Sequence, residues 1–434
     1  MKVLFVNDST SNCNWGDRAA AISLKHMVTQ FGGTICHTIT EDALVHSSFR
    51  EPLAETPRVG AKIIRLLTPP AVWSLQQRLN QYLPEKESED IIPLRWDEFA
   101  SRAKLLLGQE HLYPKLLAGL RESDIIVIHG DGAMVGNPRI ARAELFLAYF
   151  GKKYLNRSVI FINHTADLDH PTLKEIAEHV YPMLDDITFR DEISMLRCQS
   201  ICQGRYVPDS AFWFKPAKKE QWAPLAQRLT YMDVWPDTAS FDPRKPYICV
   251  GGTSAFSYDG MPTGIIDDWA ALLRHLRSVY QGQIILTVSD IIDQTIFRPI
   301  AAELQLPLIS INTPVQQAVD ILGNADAYIG GRWHPSIFSL RGGSPIVPVT
   351  SKTFKMRALM EMAGLETRLY DPYAVTAVKE AISSQLLDFL KQGEALRDRL
   401  RQWAGGQAEE SWSNVAYLKA GKSQSGLTRE TQTS

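Results

Sequence analysis

The side chains best suited to chemistry follow one apolar run, at residues 327–330. The run predicts a short buried strand, and Arg332, Trp333 and His334 come directly after the glycines that end it. In open α/β sheets, ligands bind outside the carboxyl ends of the strands. A guanidinium offers a planar fork for phosphate or carboxylate, and an imidazole exchanges protons near neutral pH. The spacing therefore predicts a site for an anionic substrate, with His334 as the candidate catalytic residue.

Polar side chains follow other predicted strands as well. Lys355 and Arg357 come after the next strand along the chain, and their charges suit an anion. Arg190 follows an earlier strand, but an arginine in front of two acidic residues is also typical of a surface ion pair. His164 ends a further strand, where it fits either a second acid or base or a hydrogen-bonded structural histidine. The structural role is the favoured interpretation of His164.

Two loops are candidates for an acceptor or phosphate pocket. Gly130, Asp131 and Gly132 follow a strand, and glycine permits close approach of the backbone to a ligand, although any doubly wound sheet needs such corners. Asn14 and Asp17 lie where the first helix begins. There, the carboxylate of Asp17 either interacts favourably with the helix dipole or contributes to the pocket. Both interpretations of this corner are open.

The order of the elements predicts an α/β chain. Apolar runs alternate with segments of helical periodicity, which indicates two doubly wound parallel sheets with right-handed crossovers. We expect an N-terminal domain at 1–215, a linker without sustained periodicity at 216–245, and a C-terminal domain at 246–385. A C-terminal helix is expected at 386–404, and the polar tail at 405–434 is expected to be disordered.

The stretch at 41–120 is expected to be a helical insertion in the N-terminal domain. Its residues 61–79 alternate apolar and basic or polar positions at helical spacing. Such a segment fits a membrane-surface helix, a lid over the cleft, or a helical hairpin docked on the domain. The acidic run at 85–90 would oppose an anionic lipid surface, so the docked hairpin is the favoured interpretation.

Composition argues against several classes of protein. The chain of 434 residues has length for two or three domains, and its net charge of −2 gives no support for attraction to nucleic acid or bulk membrane. No apolar run reaches the roughly 18 residues that a spanning helix needs, and the first apolar stretch is too brief for a signal peptide. The five cysteines are scattered without the spacing of a zinc site, which fits a reducing cytoplasm.

Five motifs in chain order resemble the polysaccharide pyruvyl transferase family. They are Asn14-Trp-Gly-Asp17, Gly130-Asp-Gly132, Phe189-Arg-Asp-Glu-Ile-Ser194, Val207-Pro-Asp-Ser-Ala211, and Gly330-Gly-Arg-x-His334 with the Lys-x-Arg that follows. The resemblance implies two Rossmann-like domains facing a cleft, as in GT-B glycosyltransferases. It also implies transfer of pyruvate from phosphoenolpyruvate to a sugar as a ketal. Family members often have a run of glycines where this chain has His129 and Asp131.

The resemblance implies a role for each candidate side chain. A family counterpart of Arg190 helps to bind phosphoenolpyruvate, and Arg332, Trp333 and Lys355 complete the expected donor site. His334 as imidazolium would protonate the methylene carbon of the donor, so that two neighbouring hydroxyls of the acceptor attack C2 in turn. Neither a cofactor nor a metal is expected. Because the arginines follow strands outside the predicted apolar core, we expect their replacement by alanine to leave folding intact.

The expected acceptor is a sugar, a glycan or a lipid-linked saccharide in cell-surface polysaccharide biosynthesis, with any membrane contact peripheral, at the inner face. Asp131 would repel phosphate, so it is expected to face sugar hydroxyls. Two other classes stay open. A GT-B glycosyltransferase would bind a nucleotide sugar in the second domain, although the glycine loop at 251–253 lacks both the Walker lysine and a full G-x-G-x-x-G. A non-catalytic binding protein is disfavoured because the basic residues and the histidine occur together.

Overall fold

The computed structural model describes residues 1–50, 90–228, 231–256 and 261–419. Their strands form two six-stranded sheets, with helices packed against the faces of each sheet. The prediction of an α/β chain with two doubly wound sheets is therefore confirmed.

The first sheet is parallel throughout. Its strands are β1 Lys2–Asp8, β2 Thr34–Thr40, β3 Ile125–Val135, β4 Ser158–Asp167, β5 Asp186–Phe189 and β6 Arg205–Tyr206. Their order in space is β2-β1-β3-β4-β5-β6, so the chain leaves β1 in one direction for β2 and in the other for β3. The helices of this domain are α1 Trp15–Gln30, α2 Glu41–His46, α3 Phe99–Gly108, α4 Pro114–Glu122, α5 Arg139–Leu155, α6 Pro171–Val180 and α7 Glu192–Cys198. Short 3-10 helices lie at Trp96–Glu98, Glu110–Leu112, Tyr181–Met183 and Ser210–Trp213.

The second sheet has five parallel strands and one antiparallel edge strand. Its strands are β7 Val234–Trp235, β8 Tyr247–Thr253, β9 Gln283–Thr287, β10 Leu308–Ile309, β11 Tyr328–Gly331 and β12 Ile346–Pro348. The order in space is β12-β11-β8-β9-β10-β7. The chain passes from β8 to β9 on one side and later returns to β11 on the other, so a topological switch point lies between β8 and β11. The helices are α8 Lys219–Ala226, α9 Ile265–Val279, α10 Ile291–Leu304, α11 Val315–Gly323, α12 Trp333–Gly342, α13 Lys355–Met362 and α14 Lys379–Glu410, followed by a 3-10 helix at Ser411–Val415.

Strand β1 shows why the apolar runs of this sequence form central strands. Val3 and Phe5 pack in one hydrophobic cluster, whereas Leu4 and Val6 pack in another. Successive side chains of a strand point to opposite faces, so a strand covered on both sides is apolar at every position. The continuous run that begins the sequence is therefore buried between two layers of helices.

The two domains are joined at helix α1. Trp15 is fully buried in the hydrophobic cluster of the second domain, and its indole Nε1 donates a hydrogen bond of 2.9 Å to the carbonyl of Ile311. Arg18, one turn further along, donates from Nη2 to the carbonyl of Thr313 at 2.9 Å. The first helix of the N-terminal domain thus contacts both domains.

The segment predicted as a linker at 216–245 is not without regular structure. It contains helix α8 and strand β7, and β7 pairs antiparallel with β10. No sustained periodicity is visible in this stretch because each element is short: β7 has two residues and α8 has eight.

The prediction of disorder from residue 405 is wrong for residues 405–418. Helix α14 begins at Lys379, earlier than predicted, and continues to Glu410 with a break at Gly393, where φ is 60°. Beyond it, Val415 and Leu418 are buried against the first sheet, together with Val3 and Phe5. The chain therefore returns to the N-terminal domain and completes one of its two hydrophobic layers.

The insertion predicted at 41–120 contains helices α2, α3 and α4 among its described residues, whereas residues 47–50 and 90–95 are not helical. Helices α2, α3 and α4 pack in the same hydrophobic cluster as α5. The amphipathic stretch at 61–79 and the acidic residues before Asp90 lie outside the described residues. Among the helices that the structure describes, none combines the length and the apolar character that crossing a bilayer demands.

We predict that the C-terminal segment contributes directly to the stability of the N-terminal domain. Replacing Leu418 with alanine removes a fully buried side chain and should lower the free energy of unfolding by about 2–5 kcal/mol. Leu196→Ala, at a position 54% exposed, is the matched control and should change it by less than about 0.5 kcal/mol. Equal small effects in urea denaturation of the two variants would contradict the packing described here.

Candidate active site

A cleft of about 370 Å³ lies between the carboxyl ends of the two sheets. It is lined by residues of both domains, including Asn7, Asn14, Asp17, Glu41, Asp131, Gly132, Arg190, Ser254, Ser289, Arg332, Trp333, His334, Lys352 and Lys355. The topological switch point of each sheet faces this cleft. In the first sheet β1 and β3 supply Asn7 and Asp131, and in the second sheet the ends of β8 and β11 supply Ser254 and Arg332. A topological switch point creates a crevice at the carboxyl ends of the strands, which is why ligands bind there in doubly wound folds.

His334 lies in the first turn of α12, where its ring contacts the first domain. A Cβ atom built at Gly16 would overlap the Cβ, Cγ and Nδ1 atoms of His334. Only glycine therefore fits at this position of α1, which accounts for the glycine between Asn14 and Asp17. The side chain of Asn14 caps the same helix by accepting a hydrogen bond of 2.8 Å from the backbone N–H of Gly16. The predicted N-terminal corner thus serves to position His334.

The other ring nitrogen of His334 faces two carboxylates. Its Nε2 atom is buried, has no hydrogen-bond partner among the described residues, and lies 3.5 Å from Oδ2 of Asp209 and 4.0 Å from Oδ1 of Asp131. Burial by itself raises the pKa of the Asp209 carboxyl, but His334 and Arg190 together hold it well below its usual range. Asp209 is therefore ionised at neutral pH and presents a full negative charge to the imidazole.

Arg332 begins α12 and is engaged by carboxylates of α10. Its Nη2 donates to Asp293 Oδ1 at 2.7 Å, and its Nη1 donates to Asp290 Oδ2 at 3.1 Å. Burial raises the pKa of Asp293 to about 6, and the charge of Arg332 opposes that rise. A Cβ atom at Gly252 would overlap the carboxylate of Asp293, so this glycine makes room for the ion pair. The guanidinium charge is thus largely matched inside the protein.

Arg190 is similarly enclosed. Its Nη1 donates to Asp131 and to Asp209, its Nε donates to Thr165 Oγ1 at 3.0 Å, and its guanidinium lies 5.3 Å from the centroid of the Trp333 ring. The guanidinium–ring geometry is that of a cation–π contact. This arrangement links the end of β5 to the second domain.

The expectation that the arginines lie outside the core is wrong. Arg190 is 1% exposed and Arg332 is 8% exposed. Removing either side chain would leave buried carboxylates without a counterion, so an alanine variant is expected to lose stability rather than fold normally. Sequence reasoning placed both residues correctly at strand ends but did not identify their partners.

Lys355 differs from the arginines in its surroundings. It begins α13, lines the cleft, and makes no hydrogen bond or ion pair with any residue that the structure describes. Burial lowers the pKa of its ammonium group to about 8, and the nearby charge of Arg190 adds to this effect. Arg357, by contrast, is exposed and does not line the cleft. An unmatched cation at the cleft wall is suited to binding an anion.

The wall that the first domain contributes to the cleft is acidic. Asp17, Glu41 and Asp131 line it, and Asn12 donates from Nδ2 to Glu41 Oε2 at 2.6 Å and to Asp17 Oδ2 at 3.3 Å. Burial and then the neighbouring charges of Asp131 and Glu41 raise the pKa of Asp17 well above its usual range. Within the described ranges, no group of three His, Cys, Asp or Glu residues is arranged to hold a metal ion. The wall offers hydrogen-bond acceptors, and the raised pKa of Asp17 favours the protonated form of its carboxyl.

Two predicted site residues lie away from the cleft. His164 is fully buried, with Nδ1 3.0 Å from the carbonyl of Thr188 and Nε2 3.1 Å from the hydroxyl of Tyr181. Burial lowers its pKa to about 3, so it is a neutral structural histidine. Gly130 does not line the cleft either, because it packs against the ring of Phe161. Gly132 does line the cleft, next to Arg190.

Sequence reasoning missed four acidic residues of the site: Glu41, Asp209, Asp290 and Asp293. A signal for Asp209 was present, because it follows β6 directly after a proline within a motif of the family. Asp290 likewise follows β9 and caps α10. Glu41 directly follows β2 as the first residue of α2, so its place after a strand was also a signal. Asp293 lies within α10 and reaches the site only through tertiary packing.

The fold is similar to those of solved sugar-active proteins at low sequence identity. The spinosyn rhamnosyltransferase SpnG matches with a TM-score of 0.50 and 13% identity, over 97% of this chain and 100% of that chain. UGT89C1 of Arabidopsis thaliana, complexed with quercetin, gives 0.51 and 12%, over 96% and 98%. MnaA of S. aureus, solved with UDP, gives 0.51 and 10%, over 98% and 97%. The GT-B-like arrangement of two Rossmann-like domains is thus confirmed.

Sequence comparison supplies the family. No curated protein matches the chain in sequence. The family model described as Polysaccharide pyruvyl transferase matches residues 71–353, more than half of the chain. This range includes Arg190, Asp209, Arg332 and His334, but ends just before Lys355. The chain therefore belongs to the polysaccharide pyruvyl transferase family, as its motifs predicted.

Proposed function

We propose that the protein transfers pyruvate from phosphoenolpyruvate to a pair of hydroxyls on a sugar or glycan, forming a ketal. The observation that carries this proposal is the arrangement of the cleft. An imidazole held against an ionised carboxylate lies in the same cleft as the unmatched ammonium of Lys355 and an acidic wall. Family membership identifies the transferred group, and phosphoenolpyruvate is the donor class that the cleft charges suit.

The charges of the cleft favour an anionic donor on the side of Lys355. The ammonium of Lys355 attracts phosphate or carboxylate without first breaking an ion pair. Lys352 also lines this side and is exposed. The two arginines act differently, because Asp293, Asp290, Asp131 and Asp209 already accept their hydrogen bonds. Their contribution to donor binding is therefore limited to the N–H groups that remain unused.

The chemistry requires one proton donor at the donor's methylene carbon. His334 as imidazolium gives a proton to that carbon, which becomes a methyl group, and C2 takes on positive character. The first acceptor hydroxyl attacks C2 and releases its proton, and the C2–O bond to phosphate then breaks. The second hydroxyl closes the ketal. One of the two released hydroxyl protons restores His334, and the other leaves with inorganic phosphate. A general acid of this kind contributes a factor on the order of 10²–10⁴.

The acidic wall suits a neutral acceptor. Carboxylates of Glu41 and Asp131 accept hydrogen bonds from hydroxyl groups, and Asp17, whose pKa is raised, also donates one when it is protonated. The charges of Glu41 and Asp131 would repel phosphate, so the sugar to be modified is expected to lie here. In keeping with the family, the acceptor is a glycan or a lipid-linked saccharide of cell-surface polysaccharide biosynthesis. A lipid-linked acceptor would bring the protein to the inner face of the membrane.

The proposal predicts that phosphate is released from phosphoenolpyruvate only when a glycan acceptor is present. In D₂O, deuterium should enter the pyruvyl methyl group of the product. His334→Gln should bind phosphoenolpyruvate normally by calorimetry, yet lose turnover by ~10²-fold or more, because glutamine cannot transfer a proton.

A nucleotide sugar is the alternative donor for this fold. Thermal shift with phosphoenolpyruvate and with UDP, GDP and CMP sugars separates the two classes. Stabilisation by a nucleotide sugar alone would contradict the proposal, and so would near-normal turnover of His334→Gln.

We predict that donor affinity depends on the protonation of Lys355. Its pKa is about 8 in the free protein, so the ammonium form is lost as the pH rises through that value. The Kd for phosphoenolpyruvate should be constant from about pH 7 to 8 and then increase roughly tenfold per pH unit. Lys355→Arg keeps the charge and should abolish this slope, whereas Lys355→Met should weaken binding near pH 7 and also remove the slope. A slope that persists in Lys355→Arg would assign the effect to another group.

We predict that Arg332 is needed for stability as well as for the site. Arg332→Ala leaves Asp293 buried without a counterion and should lower the free energy of unfolding by about 3–5 kcal/mol near pH 7. The loss should be smaller near pH 5, because the pKa of Asp293 is raised and the carboxyl is then protonated. In the double variant with Asp293→Ala, much of the stability should return. An additive loss in the double variant would rule out the ion pair as the cause.

A further inference from the structure

Asp209 lies behind the cleft rather than on its wall. It precedes the 3-10 helix at Ser210–Trp213 and is fully buried, and its Oδ1 accepts a hydrogen bond of 2.8 Å from the backbone N–H of Ala211. The preceding residue is held by the C-terminal segment, because Asn414 donates from Nδ2 to the carbonyl of Pro208 at 3.0 Å. Asp209 therefore has a fixed position in the first domain.

The second oxygen of this carboxylate faces the second domain. Oδ2 accepts hydrogen bonds from Trp333 Nε1 at 2.9 Å and from Arg190 Nη1 at 3.1 Å, and it lies 3.5 Å from His334 Nε2. Nε2 has no other partner among the described residues and is enclosed by protein. The imidazole thus has Nε2 next to a buried carboxylate, while Nδ1 lies on the side of the ring that is next to Gly16.

A carboxylate behind an imidazole is a known device for controlling a proton. It fixes the ring orientation and tautomer, and it stabilises the positive charge of the imidazolium. The same geometry here would require the proton that reaches the donor to leave from Nδ1, since Nε2 is enclosed by protein against Asp209.

We propose that Asp209 is a positioning residue that holds a proton on His334 Nε2, directs Nδ1 toward the donor and favours the imidazolium form. This inference rests on the proposed function, because it assigns to His334 the role of general acid. Asp209 itself touches neither substrate.

The other charged groups around the ring do not replace Asp209. Asp131 on β3 is further from Nε2, at 4.0 Å, and it also pairs with Arg190. Arg190 after β5 opposes a positive charge on the ring. His129 on β3 is fully buried, and burial lowers its pKa, so it adds no charge at neutral pH. Asp209 is thus the nearest negative charge to the imidazole.

The inference predicts a specific change in the pH profile. Asp209→Asn keeps the shape and an acceptor oxygen but removes the charge, so kcat near pH 7 should fall about 10–100-fold. The pH at which kcat decreases on the alkaline side of the profile should be lower by about one unit, while the Kd for phosphoenolpyruvate changes less than about twofold. Asp320→Asn is the matched control, because Asp320 is a buried carboxylate that accepts a backbone N–H bond from Ala217 far from the cleft. Its pH profile should match that of the wild type.

A second measurement needs no variant of Asp209. In wild-type protein with ¹⁵N-labelled histidine, the His334 signals are assigned by their loss in His334→Gln. Nε2 should carry a proton throughout the titration, and Nδ1 should be the nitrogen that changes. A neutral tautomer with the proton on Nδ1, or an unshifted kcat profile in folded Asp209→Asn, would overturn the inference. The tautomer is observed without turnover, so failure of the proposed function would appear separately, as a lack of phosphate release by the wild type.

Discussion

One buried carboxylate determines how the two domains meet at the cleft. Asp209 belongs to the first domain, yet it accepts a hydrogen bond from Trp333 and lies against the ring of His334 in the second. Taking a charge out of water costs several kcal/mol unless partners surround it. Here the partners come from both domains, so the arrangement of the domains and the ionised state of Asp209 stabilise each other. The position of the candidate acid follows from that mutual dependence.

Much of the fold could be predicted because its signals are local. The apolar runs of β1 and β11 indicate strands buried on both faces, and alternation with helices indicates parallel sheets. Carboxyl ends of parallel strands lie at one edge, which is why Arg332 and His334 could be expected beside a cleft. Arg190 follows a strand of the other sheet, and only the resemblance to the family placed it at the same site. The type of each residue and its place after a strand carried this information without knowledge of tertiary contacts.

The rest depends on contacts between distant parts of the chain. Which acid accepts the hydrogen bonds of Arg332 is decided by the packing of α10 against β8, the neighbour of β11, and Asp293 lies 39 residues earlier. His164 also follows a strand, but the hydroxyl of Tyr181 and the carbonyl of Thr188 occupy its ring nitrogens. Disorder was predicted for residues 405–418 from their polar composition, which is a local property and does not report burial. Their order comes from burial of Leu418 against β1, at the other end of the chain.

The anchoring of α1 has a mechanical consequence. Trp15 and Arg18 fasten this helix to the loop after β10 through hydrogen bonds to Ile311 and Thr313, while the adjacent Gly16 is in contact with His334. A rotation of one domain relative to the other must pivot about this corner or break it. The width of the cleft beside His334 is therefore nearly constant during such a rotation, and the distant rim moves most. Such a rotation would change access to the cleft at its rim, whereas the surroundings of His334 would be kept at the pivot.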